Sequence, residues 1–332
     1  MYSTLRINFQ EMHALVRPSW SSVIGPLLIA LCLISSLSQL HGYTNLNHIH
    51  IPKTAGYTIM DVVSKLIELS DQKSLRFASS EKCPSLSKFY TNSTKQTMVL
   101  WAIFFRRPAD HVISQFMQCK HTPWGEHATE MTNFPRDLPD LEGFENWLDH
   151  MVQMGRTSRP DVSLKVADYN CYNPNDMQTR YLVCASMPMM KGGPHHLPPR
   201  ELPFPLALHV LKHLPFVGIM EYMRESLCLL ASMIGPLPNY CPCERKDDAS
   251  FPYRVHNIPR YNTSFPLLSE RSQAQMLRIT EMDRILYHSA YHRFRLDLMA
   301  AEERLGVNIT CQPLPADVTL SGETSIHPAK NS

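Results

Sequence analysis

The chain has 332 residues, 44% of them hydrophobic and 19% charged, with a formal net charge of +2. Such an apolar fraction excludes a disordered chain, and so small a net charge argues against a bulk polyanion binder such as a nucleic-acid-coating protein, leaving only a local basic cleft. The length suits one large core or two modest ones, and 26 prolines against 12 glycines indicate stiff connecting loops.

The first element in chain order is Trp20 to Leu40, a stretch without a charged residue. It is long enough to cross a bilayer core, for which a helix needs about 20 apolar residues. Arg6 and Arg17 precede it and no lysine or arginine follows until Lys53. The positive-inside rule then makes 1–19 a cytoplasmic tail and 20–40 a signal anchor, with the remainder lumenal. A cleavable signal peptide, with Ser36 and Ser38 near its cleavage site, is the alternative. Both readings send the chain into the secretory pathway, and the sequons at Asn92, Asn262 and Asn308 agree with that compartment. Eight of the nine cysteines follow the span, an even number that suggests disulfides of undetermined pairing. For Cys241-Pro-Cys243 a zinc site is the rival reading, with no second pair at familiar spacing nearby.

Residues 41–46 read as a short stem before a lumenal domain spanning 47–311. "LNHIHI" alternates like a strand and stops at Pro52. From Gly56, Ile59, Val62, Val63 and Leu66 recur at helical spacing, predicting a helix to Leu69. "TMVLWAIFF" (97–105) is a continuous apolar run, the pattern of a strand covered on both faces. Ala109–Cys119, Leu141–Met154 and Pro174–Ala185 read as helices, and "PFVGIM" (215–220) followed by Glu221–Ile234 as a further strand and helix. Residues 188–205 read as a long loop. Leu268–Leu305 carries a long helical pattern with one break, and 312–332 reads as a polar, proline-rich tail. Strands alternating with helices predict an α/β fold with a central parallel sheet.

The turn "PKTAGYT", Pro52-Lys53-Thr54-Ala55-Gly56-Tyr57-Thr58, sits where a parallel sheet binds ligands, beyond the carboxyl end of a strand. A lysine, two hydroxyls, small residues and a helix N-terminus together favour phosphate. It is not a Walker A loop, because the lysine precedes the small residues. Arg106 follows the second strand directly, and Ser114 lies on the helix that Pro108 opens.

These two elements resemble the membrane-anchored Golgi carbohydrate sulfotransferases of the heparan sulfate 2-O- and 6-O- type. In that family a "PKTxGT" loop grips the 5′-phosphosulfate of 3′-phosphoadenylyl sulfate (PAPS), and an "RDPxxRxxS" junction grips its 3′-phosphate. "YNPNDMQTRYL" (172–182), "FVGIMEYMRESLCLL" (216–230), "RYNTS" and "ITEMDRILYHSAYHRF" resemble later family segments in the same order, so the likeness spans roughly Asn47 to Leu305. It implies a P-loop-like sulfotransferase fold and a single-pass type II protein of the Golgi membrane with its active domain in the lumen. The implied chemistry is metal-free transfer of a sulfuryl group from PAPS to a hydroxyl of a glycan, with an acidic polysaccharide as one acceptor class. Pro52 to Thr58, Arg106 and Ser114 would hold the donor, Lys53 would act in catalysis, and Arg260 and Tyr261 would close over the nucleotide. A non-catalytic PAPS- or glycan-binding relative, and a protein or small-molecule acceptor, are the alternatives; oligomeric state is open.

Two departures stand out. Arg107 and His111 occupy positions where the family has aspartate and arginine. The family's base is a histidine between the two phosphate motifs, and between Lys53 and Arg106 this chain has none. Glu81 is the carboxylate in the equivalent stretch, and His121 and His127 are the next candidates. His48 and His50 read as packing residues of the first strand.

Overall fold

The computed structural model describes residues 43–69, 74–81, 98–154, 169, 171–184, 202–235, 237–243, 264–311 and 313–315. Its centre is a sheet of four parallel strands in the order β2-β1-β3-β4: β1 (Tyr43–Ile49), β2 (Arg76–Ser80), β3 (Met98–Phe105) and β4 (Phe216–Ile219). The expected α/β class with a parallel sheet flanked by helices is therefore observed. The strand reaches back to Tyr43, and Asn45 pairs with both Arg76 and Val99. Residues 43–46 thus belong to the sheet and not to a stem.

Helix α1 (Gly56–Leu69) buries Ile59, Val62, Val63 and Leu66, the apolar stripe expected from their spacing. β3 is buried at Leu100 and from Ala102 to Phe105, as its unbroken apolar run requires. It feeds α2 (Pro108–His121), which is followed by α3 (Pro123–Thr129) and α4 (Asp140–Met154). α2 and α4 share a second core around Phe116, Phe144 and Trp147. Beyond them come α5 (Met177–Val183), α6 (Phe204–His213), α7 (Met223–Ile234), α8 (Glu270–Ile279) and α9 (Glu281–Leu305). The stretch read as a loop to 205 turns helical at Phe204, where Pro205 occupies the first turn and needs no amide donor.

The break in the long C-terminal helical pattern falls at Thr280 and has a definite cause. Asp176 Oδ1 accepts the amides of Met282 (2.9 Å) and Asp283 (3.0 Å) at the start of α9. In return Asp283 accepts the amides of Gln178 (3.1 Å) and Thr179 (2.7 Å) at the start of α5. Each helix thus caps the other's exposed N–H groups and complements its positive end. Asp176 takes a left-handed conformation to do so (φ 44°). Arg180, wholly buried, supplies the opposing charge; burial pulls its pKa down to about 10 against the pull of Asp283 and Asp176. Burial also raises both carboxyls, Asp176 to about 8.

Disulfides join Cys119 to Cys171, Cys228 to Cys241 and Cys243 to Cys311. Cys241 and Cys243 are both consumed with different partners, which removes the zinc reading of that pair. Among the described residues no helix is long and apolar enough to cross a membrane, and the Trp20–Leu40 span lies outside them.

Replacing Asp283 by alanine uncaps α5 and leaves Arg180 short of countercharge in the core. The expected loss is about 3 kcal/mol, read as a lowered denaturation midpoint, whereas Asp283→Asn retains part of the capping and loses less.

Candidate active site at the carboxyl ends of β1 and β3

β1 is followed in sequence by β2 on one side of it, while β3 lies on the other, so the chain changes direction across the β1–β3 pair. That is the switch point where open parallel sheets leave a crevice. The loop from Ile51 to Ala55 crosses this point in an unusual conformation: Lys53 (φ 68°) and Ala55 (φ 65°) are both left-handed. Each non-glycine residue in that region costs on the order of 1–2 kcal/mol, so the surroundings must impose it.

Four contacts do so. Thr54 is turned inward, its amide and hydroxyl both donating to the Ile51 carbonyl (3.3 and 2.9 Å). His111 on α2 donates through Nε2 to the Pro52 carbonyl (2.7 Å), while its Nδ1 accepts from Gln115 (3.2 Å). Arg106 Nη1 donates to the Lys53 carbonyl (3.1 Å). The pattern requires a neutral His111, and burial, which holds its pKa down to about 3, provides one. His111 therefore braces the lysine loop from the position where the resemblance has arginine.

The junction that carries Arg106 is itself clamped. Gln178 on α5 accepts the Arg106 amide and donates to the Arg106 carbonyl, both at 2.9 Å, continuing the β3 edge with a side chain. Half-buried Glu221 accepts the Arg107 amide (2.6 Å) and the Tyr287 hydroxyl (2.9 Å). Arg107, where the family has aspartate, turns its side chain to Asp110 (3.3 Å).

A cavity of about 300 Å³ opens in front of the loop, walled by His50, Lys53, Tyr57, Glu81, Gln118 and Tyr172, with Pro52, Ala55 and Gly56 at its floor. Lys53 Nζ donates to Gln118 Oε1 (2.8 Å). Burial, with the Arg106 charge adding, lowers the Lys53 pKa to about 8. His50 Nδ1 lies 3.4 Å from Glu81 Oε1. Burial and then Lys53 lower the His50 pKa to about 4, while burial raises that of Glu81. The His50 ring lies over Gly56 so closely that a Cβ there would come within 1.8 Å of Nε2. Gly56 is a glycine to admit His50. The far wall is fixed by the Cys119–Cys171 disulfide, which sets Tyr172 against Trp124 (ring centroids 5.2 Å).

Of the residues singled out by sequence, Pro52, Lys53, Ala55, Gly56, Tyr57 and Glu81 meet at one cavity, and Arg106 reaches their loop from behind. Thr54 and Thr58 are buried in the loop and the first turn of α1. Ser114 is half-buried on α2 and does not line the cavity. His121 is held by Asp140 (2.8 Å) and His127 is exposed near Glu130 (3.7 Å), so neither is brought to the cavity. Asn308 is exposed, and Asn92, Arg260, Tyr261 and Asn262 lie outside the described residues. Sequence reasoning missed Gln118, Tyr172 and, above all, His50, whose place three residues before Lys53 was the available signal.

No protein-family model matches the chain, and no curated protein matches it.

Because the Gly56–His50 contact is so close, Gly56→Ala should displace the imidazole and destabilise the fold by about 1–3 kcal/mol. In a His50→Ala background the same change should cost far less, and a double-mutant cycle by chemical denaturation measures that coupling.

Proposed function

We propose that this chain is a sulfotransferase that moves a sulfuryl group from PAPS to a hydroxyl of a glycan in the Golgi lumen, held at the membrane by its N-terminal span. The observation that supports the reading best is the meeting of Lys53 and Arg106. They come from neighbouring strand ends, and the arginine guanidinium touches the lysine's own carbonyl (3.1 Å). A donor with phosphates on both ends of its ribose needs two cations within one molecule's reach.

The residues present suit the anionic end of such a donor. Lys53 and Ala55, both left-handed beside the start of α1 and both on the cavity wall, give the loop the kind of backbone from which anion-binding nests are built. Lys53 Nζ rests on a neutral amide, a partner that an anion displaces at small cost. PAPS supplies an electrophilic sulfur on a phosphate leaving group. The chain supplies preorganised positive charge where that phosphate must carry electrons, commonly the largest catalytic contribution. Lys53 and the loop amides serve this end, and Arg106 and Ser114 are assigned to the other phosphate.

The lumenal glycan acceptor follows from the secretory signal and from the resemblance. Offering radiolabelled PAPS with desulfated glycosaminoglycans, other glycans and tyrosine peptides tests it. Binding of adenosine 3′,5′-bisphosphate (PAP) without transfer to any of them would select a non-catalytic binding protein instead.

Lys53→Ala should lower turnover by about a hundredfold or more with little change in thermal midpoint, since solvent can replace its contact with Gln118. Arg106→Ala should chiefly weaken PAP binding measured by calorimetry. PAP affinity should also fall as pH rises through about 8, where Lys53 loses its proton. In Lys53→Ala that pH dependence should vanish.

A further inference from the structure

We infer that His50, oriented by Glu81, is the proton acceptor of this site: a carboxylate–imidazole pair assembled across the β1–β2 edge. The inference rests on the transfer reading above. Its basis is the geometry of the cavity wall. His50 follows β1 and Glu81 follows β2, two neighbouring parallel strands, and the His50 amide donates to the Ser80 carbonyl (2.9 Å), which fixes their relative height. Glu81 then faces Nδ1 of the ring (3.4 Å) and selects the tautomer with the proton on that nitrogen. Nε2, left as the acceptor, lies against Gly56, whose lack of a side chain leaves it uncovered, and makes no hydrogen bond among the described residues. Both residues share the cavity with Lys53.

The neighbouring histidines differ. His48 is shut in the core, its Nδ1 on Ser79 and its Nε2 unpartnered but out of reach of the cavity, and His111 has both ring nitrogens engaged. In the reaction, Nε2 takes the acceptor's hydroxyl proton as the acceptor oxygen bonds to sulfur. The sulfur–oxygen bond to the donor's phosphate breaks with its electron pair left on that phosphate, beside Lys53. The charges facing His50 are Lys53 from the loop, Glu81 from the β2 end and the stacked ring of His48 (5.5 Å), with Tyr57 and Tyr172 completing the wall. Burial and Lys53 keep the imidazole neutral at pH 7, as a base must be, and a bound anion offsets Lys53 and raises its basicity.

The full-length chain in detergent micelles supplies the test. Diethyl pyrocarbonate at neutral pH should modify His50 faster than His48 or His111, as read by mass spectrometry; a His50 that resists while unliganded overturns the inference. With PAPS and a desulfated glycosaminoglycan pool, His50→Gln should lose about a hundredfold or more in turnover while binding PAP as wild type does. It should also lose the fall in rate at acid pH. Glu81→Gln should lower kcat with KM little changed and move that acid limb to lower pH, because the carboxylate no longer supports the protonated ring. A His50→Gln protein within threefold of wild-type turnover refutes the base assignment and leaves the sulfotransferase reading standing. A wild-type chain that ignores PAP refutes the reading itself.

Discussion

The site depends on two hydrogen bonds that α2 and the junction before it send to the β1–α1 loop, from His111 to the Pro52 carbonyl and from Arg106 to the Lys53 carbonyl. A chain with non-glycine residues at two left-handed positions relaxes unless something outside the loop holds it. Here the holder is the next strand–helix unit, one strand over in the sheet. With the Pro52 and Lys53 carbonyls gripped and Thr54 turned inward onto the Ile51 carbonyl, the left-handed turns at Lys53 and Ala55 are held in place. The loop's conformational strain and its fixed shape beside the cavity have one cause.

That dependence propagates outward. Arg106 can reach the loop because Gln178 and Glu221 hold the backbone on which it sits, and Gln178 is positioned by Asp283 at the head of α9. The segments around 178, 221 and 283 contribute no side chain to the cavity lining. They nonetheless hold the backbone just beyond the end of β3. Gln178 and Glu221 satisfy backbone groups of the junction, and Asp283 in turn satisfies the Gln178 amide.

Much of the fold was legible in the sequence, because β1, β3, β4, α1, α2, α4 and α7 each carry their own hydrophobic period. What escaped was short or set by distant partners. β2, "RFASS", alternates half-buried and exposed residues and has no apolar run to announce it. α6 hid behind Pro203 and Pro205, which read as loop markers although a helix tolerates proline in its first turn. The break at Thr280 comes from a carboxylate more than a hundred residues earlier. At the site, the lysine turn and the arginine were visible as motifs. His50 was not, because an alternating strand pattern says which face a side chain takes and nothing about a glutamate delivered by the neighbouring strand.

The Cys119–Cys171 bond has a consequence for how the protein matures. It anchors Tyr172, one residue beyond Cys171, to the end of the helix that bears Gln118, so two walls of the cavity are tied by sulfur. The lysine loop and its braces need no oxidation to form. Folding alone can therefore set the loop, whereas tying the Tyr172 wall to the helix that bears Gln118 also calls for an oxidant.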